Sequence, residues 1–588
     1  MTHPDDPRRP SVLERWGLTL LCLVVLGVLL VLWAAGAVGD TAHGRPIESN
    51  PFAYPFDLAF GRRPWPGPQA SWTLLGIAAL LLAATVVAVV VIRRRRRRPG
   101  PLRRVDTAAR LLGHPRDLPA LSPAGVAASA ARLRPATTID LRRPRQHGRL
   151  FGTTVVGGMP VRASHEDLGV HIWGPRTGKT TCVTIPMLVE ADGPAIATSN
   201  KRDLLDATRG PRQRLGEGWV FDPQQVGQQL QTFWYNPLSR IQSISDADIV
   251  ASHFVAGTRD ADARTDAYFD GSAESLLAAY LLAAARDNAT ITDVYRWLGD
   301  ATDKAPFRIL ESTGDELVAV EVRSLLEAPP KQQAGVYDTA LKLMRCLRNP
   351  DILRWVTPPQ RTRLPHFDPN TFTNSTDTLY LLSREEGRGS AAPLVATLTE
   401  HCCHAATEHA VRRPLGRLDP VLTCMLDEAA NICRWRDLPN LYSHYGSRGV
   451  VIETILQSWE QGVEAWGAGG MAKLWGAANI RTYGGGAASA DFLRLMADIA
   501  GLYDAEKTSL TIDDHGRRSY SAHSQREQIL PIDLLAAMPP GRALVLASGA
   551  PAFLINTIPW WQRADAEAIT ASIQHYDPGQ HTQAIGEG

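Results

Sequence analysis

Two long stretches of the chain carry no charged side chain: Leu18 to Ala37, broken only by Thr19, and Trp72 to Ile92, broken only by Thr73 and Thr85. Each has the ~20 residues that a helix needs to cross a hydrocarbon core of about 30 Å. Arg8, Arg9 and Arg15 precede the first run, and six arginines, Arg93 to Arg98, close the second. The positive-inside rule then predicts two transmembrane helices, 18–37 and 72–92, with both outer flanks in the cytoplasm. The intervening residues 38–71 become an extracytoplasmic loop, residues 1–17 a cytoplasmic N-terminus, and residues 93–160 a basic stop followed by a Pro- and Arg-rich linker. The expected location is the plasma membrane, as a multi-pass protein whose soluble part is cytoplasmic.

From Leu168 the pattern changes to short apolar runs alternating with longer stretches of helical period, which is the rhythm of an α/β sheet. Strands are predicted at Gly169–Trp173, Ala195–Thr198, Trp219–Phe221, Thr378–Leu382, Val421–Leu426, Val450–Leu456, Ile480–Tyr483 and Ala543–Ala547. Between them, residues 247–363 lack strand signals and read as helices, as in AESLLAAYLLAAARD and DTALKLMRCLRN. The expectation is an α/β domain in two parts, 161–246 and 364–565, split by an all-α insertion at 247–363 and followed by an unstructured tail, 566–588.

Charge narrows the choice of partner. Residues 1–104 hold 14 Lys or Arg against 6 Asp or Glu, which leaves 48 basic and 54 acidic residues of the totals of 62 and 60 for the rest of the chain. The body is therefore mildly acidic, and any contact with nucleic acid has to be a local patch, since binders of phosphate backbones carry a basic surplus where they touch it. The seven cysteines contain no CxxC pair, which argues against a zinc ribbon or a disulfide framework. The run His401-Cys402-Cys403-His404 is consecutive on a helix-like stretch and cannot converge on one ion.

The chemistry is concentrated in HIWGPRTGKTT, residues 171–181, between a predicted strand and a predicted helix. Here Gly174, Pro175, Arg176, Thr177, Gly178, Lys179, Thr180 and Thr181 read as a phosphate-binding loop. Backbone N–H groups at a helix N-terminus cradle phosphate, Lys179 reaches the β and γ phosphates, and Thr180 offers a hydroxyl to Mg²⁺. The loop is one residue short, because a tryptophan, Trp173, stands where the common spacing has glycine. A second apolar strand ends in Asp427 and Glu428, in LTCMLDEAAN. Asp427 is expected to hold Mg²⁺ together with Thr180, and Glu428 to polarise the attacking water. Gln457, at the end of VVIETILQS, is placed to sense the γ-phosphate, and Arg448 in SHYGSRG is a candidate arginine finger toward a neighbour's nucleotide.

Taken in order, these segments resemble the TraG and TraD family of coupling proteins from conjugation and type IV secretion. The resemblance runs through TTCVTIPMLVE with Pro186 inside the helix, ATSNKRDLLDATR, VFDP at 220–223 and WYNPLSRI at 234–241. It continues through LDEAANI, GSRGVVIETILQS and RTYGGG at 481–486. It implies a RecA-like P-loop NTPase domain that uses ATP and Mg²⁺, with the all-α insertion receiving cargo. It also implies a homo-hexamer that passes a relaxase–DNA complex or an effector protein to the components of a secretion channel. Two other readings share the loop: a duplex-DNA translocase of the FtsK or HerA type, and a cargo receptor that does not hydrolyse ATP.

Overall fold

The structure, a computed structural model, describes residues 12–47, 49–95, 104–135, 137–140, 142–258, 267–361, 363–384, 390–512 and 518–578. The chain divides into two compact units, Met1–Leu102 and Arg103–Gly588.

In the first unit, helices Val12–Ala42 and Pro68–Arg95 flank a short helix, Ala53–Ala59. Gly36 lets the ring of Tyr54 close on the first long helix, where an added Cβ would fall 2.1 Å from the ring. Arg63 reaches Asp40 at 3.8 Å. Among the described residues no helix is long and apolar enough to cross a membrane. The two expected spans therefore receive no support, and the plasma-membrane location is withdrawn. A span needs about 20 apolar residues within one helix. The side chains described on these helices are those of 26–42 and 68–84, each a stretch shorter than that.

The second unit is built on an 11-stranded sheet of order β2-β1-β13-β12-β9-β3-β8-β7-β4-β6-β5. Its strands are β1 Arg149–Thr154, β2 Pro160–Ala163, β3 Gly169–Ile172, β4 Ala195–Ser199, β5 Gly218–Phe221, β6 Thr378–Leu382, β7 Leu422–Leu426, β8 Val450–Leu456 and β9 Ile480–Tyr483. A separate two-stranded ribbon follows, β10 Leu502–Ile512 with β11 Arg518–Gln528, and then β12 Arg542–Ala547 and β13 Phe553–Asn556 return to the main sheet. From β9 to β5 every pairing is parallel, whereas β12, β13, β1 and β2 add an antiparallel wing. β3, β4, β6, β7 and β8 are buried along their whole length. That burial explains why their sequences are mostly apolar and do not alternate with exposed polar residues.

All eight predicted strands are present. The last part of residues 93–160, expected to be linker, instead forms β1, Arg149–Thr154, and begins β2 at Pro160. Residues 566–576, expected to be part of an unstructured tail, form the helix Ala566–Tyr576, which docks on the helix Asp203–Gln213. The Ser572 hydroxyl accepts from Gly210 N at 2.9 Å, and Arg202 donates to the Tyr576 carbonyl at 2.7 Å. Residues 579–588 lie outside the described ones.

Between β5 and β6 the chain forms only helices among the described residues, among them Ile244–Thr258, Ala267–Arg286, Ile291–Gly299, Ala305–Ser312, Glu316–Leu326 and Pro330–Leu343. Ala267–Arg286 is their axis: Leu276 to Ala284 is an unbroken buried run, with neighbouring helices packed around it. A helix apolar on every side belongs at the centre of a bundle.

Candidate functional site

In a parallel sheet the loops at the carboxyl ends of the strands gather side chains from different strands at one edge. Here β3 lies between β8 and β9, with β7 beyond β8. The loop after β3 therefore meets the ends of β7 and β8 directly.

The loop leaves β3 through Trp173, whose indole N–H donates to Thr482 Oγ1 at 2.8 Å, and Gly174, whose N–H donates to the Gly485 carbonyl at 2.9 Å. Gly174 has no room for a side chain, since an added Cβ would sit 2.3 Å from the carbonyl oxygen of Gly486. The glycines of RTYGGG are thus the bed on which the shortened loop rests. The chain then turns through Arg176 at φ 61° and Gly178 at φ 98°. The second of these is a backbone geometry natural to glycine, and the first is unusual for arginine. Thr177 closes the turn on the Gly174 carbonyl at 2.7 Å, and the Thr181 hydroxyl donates to the Gly178 carbonyl at 3.1 Å. Pro175 and Arg176 are exposed at its crest.

The helix that follows opens with a wide π turn, Thr180–Thr184, before the α-helix Ile185–Glu190. Pro186 accounts for it: proline has no N–H to give to the carbonyl of Cys182, and its ring crowds that carbonyl.

At the end of β7, Asp427 and Glu428 are both buried, 3% and 4% exposed. Lys179 Nζ lies 3.3 Å from Asp427 Oδ1 and touches Glu428 Oε1. The Thr180 hydroxyl is 3.3 Å from Asp427 Oδ2, and the Thr198 hydroxyl of β4 donates to the Asp427 carbonyl at 2.7 Å. Gln457 Nε2, from the end of β8, donates to Glu428 Oε1 at 2.8 Å. Glu428 takes φ 55° and ψ 40°, in the left-handed region, and its Oε2 is buried without a hydrogen-bond partner. Burial raises the Asp427 carboxyl, an effect that Lys179 partly offsets. Strained, buried acids concentrated at one strand end mark a functional site.

Thus the structure brings Lys179, Thr180, Asp427, Glu428 and Gln457 to one point. It does not bring Arg448 there. That residue ends the helix Leu438–Arg448 just before β8, at the opposite end of the strand from Gln457, and its guanidinium donates to the Gly416 carbonyl at 3.2 Å.

A group under the loop went unnoticed in the sequence. His171 Nε2 lies 2.8 Å from Glu453 Oε2 and its Nδ1 2.8 Å from Thr482 Oγ1, while Arg149 Nε donates to Glu453 Oε1 at 2.7 Å. The buried carboxylate of Glu453 on β8 ties β1 to β3, and His171 extends the link to β9 through Thr482. Burial alone would raise Glu453, but Arg149 and His171 outweigh it and hold the group below the usual glutamate range. A carboxylate with a lowered folded pKa contributes stability above its unfolded value, about 4.3, and loses it as acid protonates the folded form. Glu453→Gln leaves Arg149 buried without its counter-charge and should cost about 3 kcal/mol at pH 7. In urea titrations the gap from wild type should be full at pH 7 and close progressively below pH ~4.3.

The sequence profile described as "TraM recognition site of TraD and TraG" matches residues 421–540, the segment that carries Asp427, Glu428 and Gln457. Among solved structures, the chain is similar to the unbound monoclinic form of the bacterial conjugative coupling protein TrwBdeltaN70. That structure is 16% identical, with a TM-score of 0.50 over 73% of this chain and 91% of that one. The trigonal form of the same protein in complex with sulphate is 17% identical, with a TM-score of 0.49 over 73% and 92%. At such identity the first of these likenesses shows the fold. No curated protein is similar in sequence.

Proposed function

We propose that this chain, a coupling protein of the TraG and TraD type, is a P-loop ATPase that binds ATP with Mg²⁺ and couples its hydrolysis to moving a macromolecule into a conjugation or secretion channel. One observation carries the reading: Lys179 and Thr180 of the loop meet Asp427, Glu428 and Gln457, from two neighbouring strands, at a single point.

The donors fit the cofactors. Thr180 and Asp427 offer hydroxyl and carboxylate oxygens to a hard cation that keeps its other positions for water and phosphate. The loop's N–H groups and Lys179 suit the phosphates. Mg²⁺ neutralises charge on the phosphates when bound. Glu428 orients and polarises the water, and Gln457 holds the Glu428 carboxylate from the adjoining strand. Arg448 has no part in the site of its own chain.

The finer reading rests on the family resemblance. Six copies form a ring, and the helices between β5 and β6 receive relaxase-bound DNA or an effector protein. The mildly acidic body suits a cargo held by local contacts better than one gripped along a whole duplex. The test is phosphate release by the full chain with ATP and Mg²⁺. Hydrolysis that falls to background on chelation with EDTA is the expected result. A correctly folded chain that releases no phosphate, with or without DNA, would overturn the ATPase reading and leave a receptor.

A further inference from the structure

Two groups converge on a single buried oxygen, Glu428 Oε1: the Lys179 ammonium touches it and Gln457 Nε2 donates to it at 2.8 Å, while Glu428 is 4% exposed. The two residues with the most distinct duties in the proposed reaction, the phosphate-binding cation and the water-polarising anion, are therefore bonded to each other.

Glu428 has little freedom to leave this arrangement. Its backbone is fixed in the left-handed region, and its N–H donates to Asp427 Oδ1 at 3.1 Å. Its other oxygen, Oε2, is enclosed without a partner. Lys179 is the movable member, a compact charge on a flexible four-carbon stem.

From this we infer that Lys179 and Glu428 form an internal latch, so that phosphate takes the ammonium from the carboxylate and the same event frees Glu428 to engage water. The inference rests on the reading of loop 174–181 as a phosphate site. Gln457 is the positioning residue of the latch: it stays on Glu428 Oε1 when the ammonium leaves and keeps the carboxylate aimed.

Such a contact opposes phosphate binding by the free energy needed to break it, and the coupling is reciprocal. Neutralising Glu428 should release Lys179 and tighten phosphate binding. Simple removal of a negative charge near a polyphosphate would also tighten it, and a double-mutant cycle separates the two causes. If the latch is real, the gain from Glu428→Gln depends on Lys179. If charge repulsion alone acts, the gain persists without Lys179.

The experiment measures the Kd of MgADP, which is bound without turnover, for the full-length wild type, Glu428→Gln, Lys179→Ala and the double variant. Calorimetry is run beside the ADP-induced shift in Tm, and Lys179→Gln is used if the alanine variant does not fold. The latch predicts about 10-fold tighter binding for Glu428→Gln in the wild-type background and less than about 2-fold in the Lys179→Ala background. Equal tightening in both backgrounds, or none in either, overturns the latch while leaving the phosphate site intact. Failure of the folded wild type to bind MgADP at all overturns the phosphate site and the latch with it.

Discussion

Glu428→Gln is expected to lower kcat for ATP hydrolysis by about 10²- to 10⁴-fold while the chain still binds MgATP, because it removes a general base without removing a phosphate contact. The substitution is close to isosteric, and the amide oxygen can still accept from Gln457 Nε2, now at 2.8 Å from Glu428 Oε1. The backbone of residue 428, the π turn and the bed of Gly484 to Gly486 do not depend on the charge. Single-turnover phosphate release, set beside equilibrium binding of a fluorescent ATP analogue, separates the two effects. An unchanged kcat would place the base elsewhere.

Lys179→Ala is expected to remove hydrolysis by a different route. It deletes the cation that faces the phosphates, with a loss of about 10²- to 10³-fold in kcat/KM, the usual scale for one electrostatic donor to a developing charge. It also has a consequence for the folded chain. Asp427 and Glu428 are adjacent buried carboxylates, and Lys179 is the cation that touches both. Without it two buried negative charges face each other, and the unfolding free energy should fall by about 3 kcal/mol at pH 7, the usual cost of stripping one partner from a buried ion pair. Adding Glu428→Gln to Lys179→Ala should restore part of that loss in urea titrations while leaving hydrolysis absent. Equal stability of wild type and Lys179→Ala would show that the ammonium does not offset the acids.

The parts of this arrangement that were legible in the sequence share a physical cause. Strands buried on both faces are short and mostly apolar, and polar groups at the end of such a run stand out, so β7 with Asp427 and β8 with Gln457 could be read directly. The glycine, lysine and threonine at 178–180 were legible because their spacing is set by phosphate geometry. Strands β1, β2 and β13 were not, because short antiparallel pieces at the wing mix polar and apolar residues and do not differ in pattern from loops. Arg448 was read as a finger toward a neighbour's nucleotide; within its own chain it precedes β8 and so lies at the opposite end of that strand from Gln457. The carboxylate of Glu453, inside VVIETIL, did carry a usable signal. An acid buried in an apolar strand demands a cation, and Arg149 and His171 supply the answer from two other strands.

The strand order has a consequence for how the chain is made. β3 is flanked by β8 and β9, and β1 pairs with β13 so that Thr153 faces Asn556. During synthesis the segment that begins the phosphate loop leaves the ribosome well before either of its neighbours exists. It can be framed only after residues 450–483 have followed, and the wing closes only once residue 556 has emerged. Contacts so distant along the chain form slowly. The early half therefore waits with the largely apolar strands β3 and β4 unpaired on both sides, since all four of their neighbours come later in the chain, a period in which a nascent chain is exposed to aggregation.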